Sequence, residues 1–73
     1  MAEVIKAEIT GTVWKVLVKK GDEVEEDDEI MILESMKMEI PVESPVDGTV
    51  AEICVAEGVA ITEGQILAKI DEG

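Results

Sequence analysis

The side chain in this sequence that is best placed to do chemistry is Lys37. It lies at the midpoint of the 73 residues, between Met36 and Met38. Methionine is flexible and polarizable, so a pair of methionines beside an amine is typical of a surface that docks another protein. Two other interpretations stay open, because a lysine at a turn is in most proteins only a solvated charge, and methionine also fills gaps in a core.

Other catalytic chemistry finds little support among the residue types. The sequence has no histidine and a single cysteine, Cys54, which excludes a Ser/His/Asp or Cys/His set and an internal disulfide. There is also no glycine-rich loop of the kind that cradles phosphate. The neighbours Ile53 and Val55 predict that Cys54 lies in a strand as a structural thiol.

Acidic residues dominate the charge. The formal net charge is −12, with six lysines and no arginine, which argues against binding to nucleic acid or to an anionic membrane. Six of the seven residues 23–29 are acidic, but they lack the calcium-loop spacing, so we expect a solvated loop. With no apolar run of about 18 residues and no basic-then-apolar N-terminus, we expect no membrane insertion, no signal peptide and a cytoplasmic location.

Around Lys37 the sequence has the alternation of a β-hairpin. Pairing the strands about Met36-Lys37 sets Ser35 opposite Met38, and it brings the apolar residues on the two sides to one face. In this register residue 33 faces residue 40 and residue 31 faces residue 42. A two-residue turn of this kind needs positive φ, which normally selects Asn-Gly, yet two long side chains occupy it. A broken local rule of this sort is typical of a functional position.

The rest of the chain is an internal repeat with an offset of 37 residues. Gly11-Thr12-Val13 aligns with Gly48-Thr49-Val50, and apolar positions follow the same offset over nearly the whole length. The repeat halves span about 4–36 and 41–73, and they predict one domain of two equivalent four-strand units.

Each half predicts the same series of elements. A short strand (4–8 or 40–43) leads to the longest strand, and a tight corner then precedes a last strand (30–35 or 66–71). In the longest strand we expect these residues to face inward: Trp14, Val16 and Val18 in the first half, and Ala51, Ile53 and Val55 in the second.

Eight short strands without helical periodicity predict an all-β fold, a sandwich or flattened barrel with internal pseudo-twofold symmetry. Neither half buries its apolar face alone, so the two must pack together. The offset also relates the Lys37 hairpin to the chain ends. We therefore expect Lys37 to project from one end of the domain, with the termini at the other.

The segment Glu34-Ser35-Met36-Lys37-Met38 resembles the attachment motif Glu-Ala-Met-Lys-Met of the biotinyl domains, the biotin carboxyl carriers of biotin-dependent carboxylases in the biotin/lipoyl attachment family. The resemblance continues over almost all 73 residues, through Gly21-Asp22, residues 45–50 and residues 57–65. It departs from the family pattern at Ser35, which replaces alanine, and at Asp27-Asp28, which replaces Gly-Gln.

The resemblance implies a flattened β-barrel of two four-stranded antiparallel sheets, with biotin joined by an amide to Lys37. A biotin protein ligase would recognise the folded hairpin, with Met36 and Met38 fixing the amine and Glu34 aiding recognition. The attached biotin would carry a carboxyl group from a biotin carboxylase to a carboxyltransferase. The chain would then be a non-catalytic carrier, a monomer on its own.

The same family offers an alternative, a lipoyl carrier domain of the same fold. Lipoyl domains usually have Asp before the lysine and Ala or Val after it, whereas this chain has methionine on both sides. An unmodified interaction domain, in which Lys37 is an ordinary surface charge, is the third hypothesis. The sequence does not indicate which acceptor would receive the carboxyl group.

Overall fold

The computed structural model describes residues 2–72, which form two four-stranded antiparallel sheets. The strands are β1 (Ala2–Lys6), β2 (Gly11–Val16), β3 (Glu23–Val24), β4 (Glu29–Ser35), β5 (Met38–Glu43), β6 (Gly48–Ile53), β7 (Ala60–Ile61) and β8 (Ile66–Asp71). The first sheet has the order β1-β8-β6-β3 and the second the order β5-β4-β2-β7. The predicted all-β fold of two packed sheets is confirmed. Within residues 2–72 no helix is long and apolar enough to cross a membrane.

The two sheets are equivalent under the repeat. Moving along the chain by 37 residues converts β1 into β5, β2 into β6, β3 into β7 and β4 into β8, so the strand order of one sheet becomes that of the other. Even the irregularities repeat, because the register shifts between Val13 and Lys15 in β2 and between Val50 and Glu52 in β6. The predicted pseudo-twofold symmetry is therefore present in the pairing itself.

The core between the sheets is made almost entirely of aliphatic side chains. Its buried members come from both halves and include no aromatic residue, in a chain that has only one. Val and Ile suit this arrangement because their branched side chains pack well on a pleated surface. The buried cluster consists of Ile5, Ala7, Val13, Val24, Ile30, Met31, Leu33, Val50, Ile61, Leu67, Ala68 and Ile70.

The prediction that Trp14 faces inward is wrong. Its side chain is 43% exposed, while the preceding Val13 is 1% exposed and belongs to the core. The cause is the β-bulge at Trp14, where β2 carries one residue more than its partner β4 between Val13 and Lys15. A bulge shifts the alternation by one residue, and so Trp14 turns outward while Val16 packs against the core again.

Three smaller predictions also need correction. The first strand runs over 2–6 rather than 4–8, and the longest strand is β4, with seven residues, rather than β2, with six. Cys54 lies just beyond the end of β6 and is exposed, so it is not a buried structural thiol.

The Lys37 hairpin and the described chain ends lie at opposite ends of the first strand. Ala2 pairs with Asp71, and β1 runs from this pair to Lys6. The chain then crosses to Gly11, which lies against the backbone of Glu34 near the hairpin turn. The long axis of the molecule, 35 Å against 18 and 17 Å, accommodates this separation.

Candidate functional site

The site is built on the hairpin of β4 and β5. The pairs Ser35–Met38, Leu33–Ile40 and Met31–Val42 lie opposite each other, which confirms the predicted register. Leu33 and Met31 are buried, and this fixes the register, because a slip of one residue would turn both to solvent.

The turn that connects the two strands has an unusual backbone conformation. Met36 has φ of 52° and Lys37 has φ of 65°. Positive φ at both central residues is the geometry of a type I′ turn, which matches the twist of the strands but favours Asn and Gly. A left-handed conformation costs about 1–2 kcal/mol for a residue with a Cβ. The sequence therefore keeps two residues at this turn that stability alone would not select.

Lys37 and its neighbours are open to solvent. Met36 is 90% exposed and Met38 is 60% exposed, so neither methionine fills a gap in the core. Lys37 is also exposed. Among the described residues no hydrogen bond or ion pair engages its ammonium group. The hairpin therefore presents a primary amine between two exposed apolar side chains.

Two glutamates flank the turn at its base. Glu34 and Glu39 are opposite each other in the β4–β5 ladder, as a register centred on Met36-Lys37 requires, and both are exposed. Like charges that face each other across two strands are destabilising. The pair gives the base of the hairpin a negative charge beside the positive amine of Lys37.

Ser35 fixes the base of the hairpin through a contact that the sequence does not reveal. Its hydroxyl donates a hydrogen bond of 3.0 Å to the carbonyl oxygen of Thr10. The Thr10 hydroxyl oxygen accepts a hydrogen bond of 3.3 Å from the N–H of Glu63, in the corner before β8. The hairpin is thus tied to the second half of the repeat. No sequence signal indicates this contact, because its partners are 25 and 53 residues apart.

Gly11 allows a close approach at the same place. A Cβ on Gly11 would lie 2.3 Å from the carbonyl oxygen of Glu34 and 3.2 Å from the Cβ of Ser35. Only glycine fits such a contact without moving the backbone. Gly48 has the equivalent relation to Asp71 in the other half, where a Cβ would lie 2.3 Å from the carbonyl oxygen.

The acidic segment 23–29 forms a tight corner between two strands, which its composition alone does not indicate. Asp27 has φ of 74°, in the position that Gly64 occupies with φ of 89° in the other half. The Asp28 carboxylate accepts a hydrogen bond of 2.9 Å from the N–H of Glu25, which closes the corner. Within residues 2–72 no group of three His, Cys, Asp or Glu side chains is placed to hold a metal ion. All six acids in the segment are exposed. Four of them, residues 25–28, form the corner, while Glu23 begins β3 and Glu29 begins β4, so the solvated loop predicted is confirmed for residues 25–28.

The Lys37 amine stands at the exposed hairpin tip and not in either of two surface depressions. A solvent-open groove of about 390 Å³ lies between the edge strands β1 and β5 and is lined mainly by apolar residues, among them Ile5 and Ile40. A second depression beside β3 is lined mainly by acidic residues. Lys37 lines neither of them.

Comparisons with known proteins agree with this geometry. A biotin/lipoyl family model, described as "Biotin-requiring enzyme", matches residues 1–70. The biotinylated protein TB7.3 homolog of Mycobacterium leprae (strain TN) is 44% identical over 70 residues, which are 96% of this chain and 99% of the relative. The likeness therefore includes a protein of nearly the same length.

Two solved structures show the same fold. The urea carboxylase of Kluyveromyces lactis superposes with a TM-score of 0.92 at 35% identity, over 97% of this chain and 6% of that one. The lipoyl domain of the 2-oxoglutarate dehydrogenase complex from Azotobacter vinelandii superposes with a TM-score of 0.78 at 31% identity, over 94% of this chain and 98% of that one. This chain thus spans a small part of the carboxylase and nearly all of the lipoyl domain.

Proposed function

The chain belongs to the biotin/lipoyl attachment family, and on that premise we propose that it is a biotin carboxyl carrier with biotin attached to the Nζ of Lys37. The observation that carries the proposal is the exposed Lys37 amine between Met36 and Met38, on a turn whose two residues both have positive φ. Residues 1–73 constitute one attachment domain in this proposal. The chain acts as a carrier and contributes no catalytic group.

The described residues fit the cofactor. Amide formation needs a primary amine that an enzyme can reach, and the Lys37 amine is exposed and has no partner among the described residues. In its neutral form this amine attacks the activated carboxyl carbon of biotin in the ligase. A C–N bond forms, the activating group leaves, and the amine gives up a proton. The product has lost the charge of the lysine and is a long arm at the hairpin tip.

The neighbours of Lys37 have separate roles in this proposal. Met36 and Met38 offer adaptable apolar contacts to the biotin protein ligase, and these contacts set the position of the amine. Glu34 adds a negative charge that a basic surface of the ligase recognises. The positive φ values give a tight two-residue turn, so that Lys37 stands at the tip of the hairpin, where the ligase can reach it.

The partners of the carrier are a biotin carboxylase and a carboxyltransferase. Biotin, when attached, supplies a ureido nitrogen that accepts a carboxyl group and releases it to an acceptor. The domain holds this group on the biotinyl-lysine arm, and covalent attachment raises its effective concentration at both enzyme sites. This assignment agrees with the likeness to urea carboxylase and to a biotinylated protein of the same length.

A lipoyl carrier is the second candidate, and the likeness to a lipoyl domain favours it. The sequence around the lysine argues against it, because lipoyl domains usually have Asp before the lysine and Ala or Val after it. Both candidates need the same exposed lysine, so the identity of the ligase that modifies it separates them.

Co-expression with a biotin protein ligase tests the proposal. We expect the intact mass to rise by one biotinyl group and avidin to stain the protein on a blot. The Lys37→Arg variant should show neither change while keeping its fold, because arginine cannot form the amide. A parallel co-expression with a lipoate ligase should leave the mass unchanged. Lipoylation without biotinylation would reverse the ranking.

A further inference from the structure

The internal repeat shows which exposed residues the fold does not require. Three large apolar residues in or next to β2 are well exposed: Trp14 at 43%, Leu17 at 48%, just after the strand, and Val59 at 41%, whose backbone bonds to Val13. At an offset of 37 residues their equivalents are Ala51, Cys54 and Asp22. We call Trp14, Leu17 and Val59 together the Trp14 patch. The same fold is built without such residues at the equivalent positions.

Backbone contacts confirm that these positions are structurally equivalent. The N–H of Leu17 donates a hydrogen bond of 2.9 Å to the carbonyl oxygen of Ile30, and the N–H of Cys54 donates one of 2.9 Å to Leu67. Since a small side chain serves at position 54, the exposed leucine at position 17 has no role in the backbone pairing. Single exposed apolar residues are normal, but three beside one bulged strand are typical of an interaction site.

Val59 is likewise more apolar than its equivalent in the other half, Asp22. The carbonyl oxygen of Val59 accepts the N–H of Val13 at 2.9 Å, as that of Asp22 accepts the N–H of Val50 at 2.8 Å. The Asp22 carboxylate also accepts a hydrogen bond of 3.0 Å from the N–H of Lys19, which closes its turn. Val59 cannot make this bond. The second half therefore has an exposed apolar side chain where a hydrogen-bonding one fits the turn.

The charge around the patch is opposite to that of the rest of the molecule. Residues 9–20 contain no acid and three of the six lysines, in a chain with 18 acids. The three, Lys15, Lys19 and Lys20, are all exposed. The Lys15 amine lies 5.7 Å from the centre of the Trp14 ring, so a cation borders the indole directly. The carboxylate of Glu57 is nearby, but it accepts a hydrogen bond of 3.0 Å from the N–H of Val16.

The patch lies beside the strand that carries the Lys37 hairpin. β2 is the neighbour of β4 in the second sheet, and it begins at Gly11 against the backbone of Glu34 at the hairpin base. Trp14 follows three residues later, which at strand rise is roughly 10 Å farther along the sheet. A protein that holds the group on Lys37 in its active site can therefore reach the patch with the same surface.

We propose that the Trp14 patch is a docking surface for the biotin-carboxylating subunit, and that this subunit covers it with an apolar pocket bordered by carboxylates. The proposal rests on the proposed function. Trp14 and the lysines have different roles in this recognition. The indole is an anchor that loses water on binding, and the lysines favour a partner with acidic residues around its pocket. Elsewhere the net charge of the chain favours basic partners, so this region distinguishes one partner from others.

Binding of the unmodified chain to purified biotin carboxylase from the same source organism tests the docking surface without depending on biotin. We expect Trp14→Ala and Leu17→Ser each to raise the dissociation constant by about tenfold or more, which is the effect of removing an anchor residue from an interface. Trp14→Ala introduces the residue that the other half has, so it should fold. Cys54→Ser is the matched control for Leu17→Ser and should stay within about twofold of wild type. Thermal melts of all variants show whether each one is folded.

Several outcomes would overturn the docking surface. One is equal affinity for wild type, Trp14→Ala and Leu17→Ser, and another is an equal loss in Cys54→Ser. Wild type that fails to bind the carboxylase would also contradict it, and binding to vesicles of anionic phospholipid or self-association in sedimentation would then identify another role for the patch. Failure of the proposed function is seen separately, as an unchanged mass after co-expression with biotin protein ligase.

Discussion

Replacing Met36 by asparagine should make the domain more stable and at the same time a poorer substrate for the ligase. Met36 is held at φ of 52°, where a residue with a Cβ is disfavoured by about 1–2 kcal/mol. Asparagine tolerates this region and is a preferred first residue of a type I′ turn. Since the methionine is 90% exposed, the substitution loses little buried apolar area. We expect a net gain of about 0.5–1 kcal/mol in the free energy of unfolding.

For a domain of this size, a gain of that magnitude raises the melting temperature by about 2–8 °C. The effect on biotinylation has the opposite sign. A methionine side chain buried in the ligase complex contributes about 1.5–3 kcal/mol, so kcat/KM should fall roughly 10- to 150-fold. Opposite changes in the two quantities would separate the functional role of Met36 from its structural one.

Thermal unfolding by circular dichroism and steady-state biotinylation with purified ligase give the two measurements. Met38→Asn is the matched control, because Met38 is a strand residue without positive φ, and asparagine is unfavourable in strands. It should lower the melting temperature. An unchanged or lower melting temperature for Met36→Asn would refute the argument from turn strain. A raised melting temperature with unchanged kcat/KM would refute the role of Met36 in docking.

Three further substitutions test the surroundings of the site. Gly11→Ala places a Cβ 2.3 Å from the carbonyl oxygen of Glu34, so urea unfolding should show a loss of about 2 kcal/mol or more, and a loss below about 0.5 kcal/mol would contradict the close approach. Glu39→Gln removes the like charge facing Glu34 and should raise stability by about 0.2–1 kcal/mol in low salt, with a smaller gain in 1 M salt; a gain that grows with salt would be inconsistent with repulsion. Asp27→Gly copies Gly64 at a position with φ of 74° and should raise the melting temperature by a few degrees, whereas a lower value would show that the Asp27 side chain stabilises the corner.

The hairpin register was readable from the sequence because one face of it is buried. Leu33 and Ile40 must both lie on the buried face. Because side chains alternate with a period of two, a slip of one residue would turn one of them to solvent, so the pairing about Met36-Lys37 is the one that buries both. The repeat also aligns Asp27 with Gly64, and both have positive φ. A repeat strengthens such predictions, because the two halves are two different sequences that form the same structure.

Trp14 shows where this reasoning fails. The apolar alternation continues through Trp14 and Val16, and nothing in the residue types marks the extra residue of a bulge. Only the hydrogen-bond register reveals that Val13 faces the core instead. The hydrogen bond from Ser35 to Thr10 could not be predicted for a related reason. It joins residues far apart in the chain, and it depends on a turn geometry that the sequence does not specify.

The central claim is that Lys37, and no other lysine, accepts biotin. Six lysines are present, so peptide mass spectrometry of the chain after reaction with biotin protein ligase and excess biotin tests it most directly. We expect complete modification of the peptide containing Lys37, no modification of the peptides containing the other five lysines, and no product with Lys37→Arg. Biotin at another lysine, or a chain that stays unmodified while a lipoate ligase modifies Lys37, would contradict it.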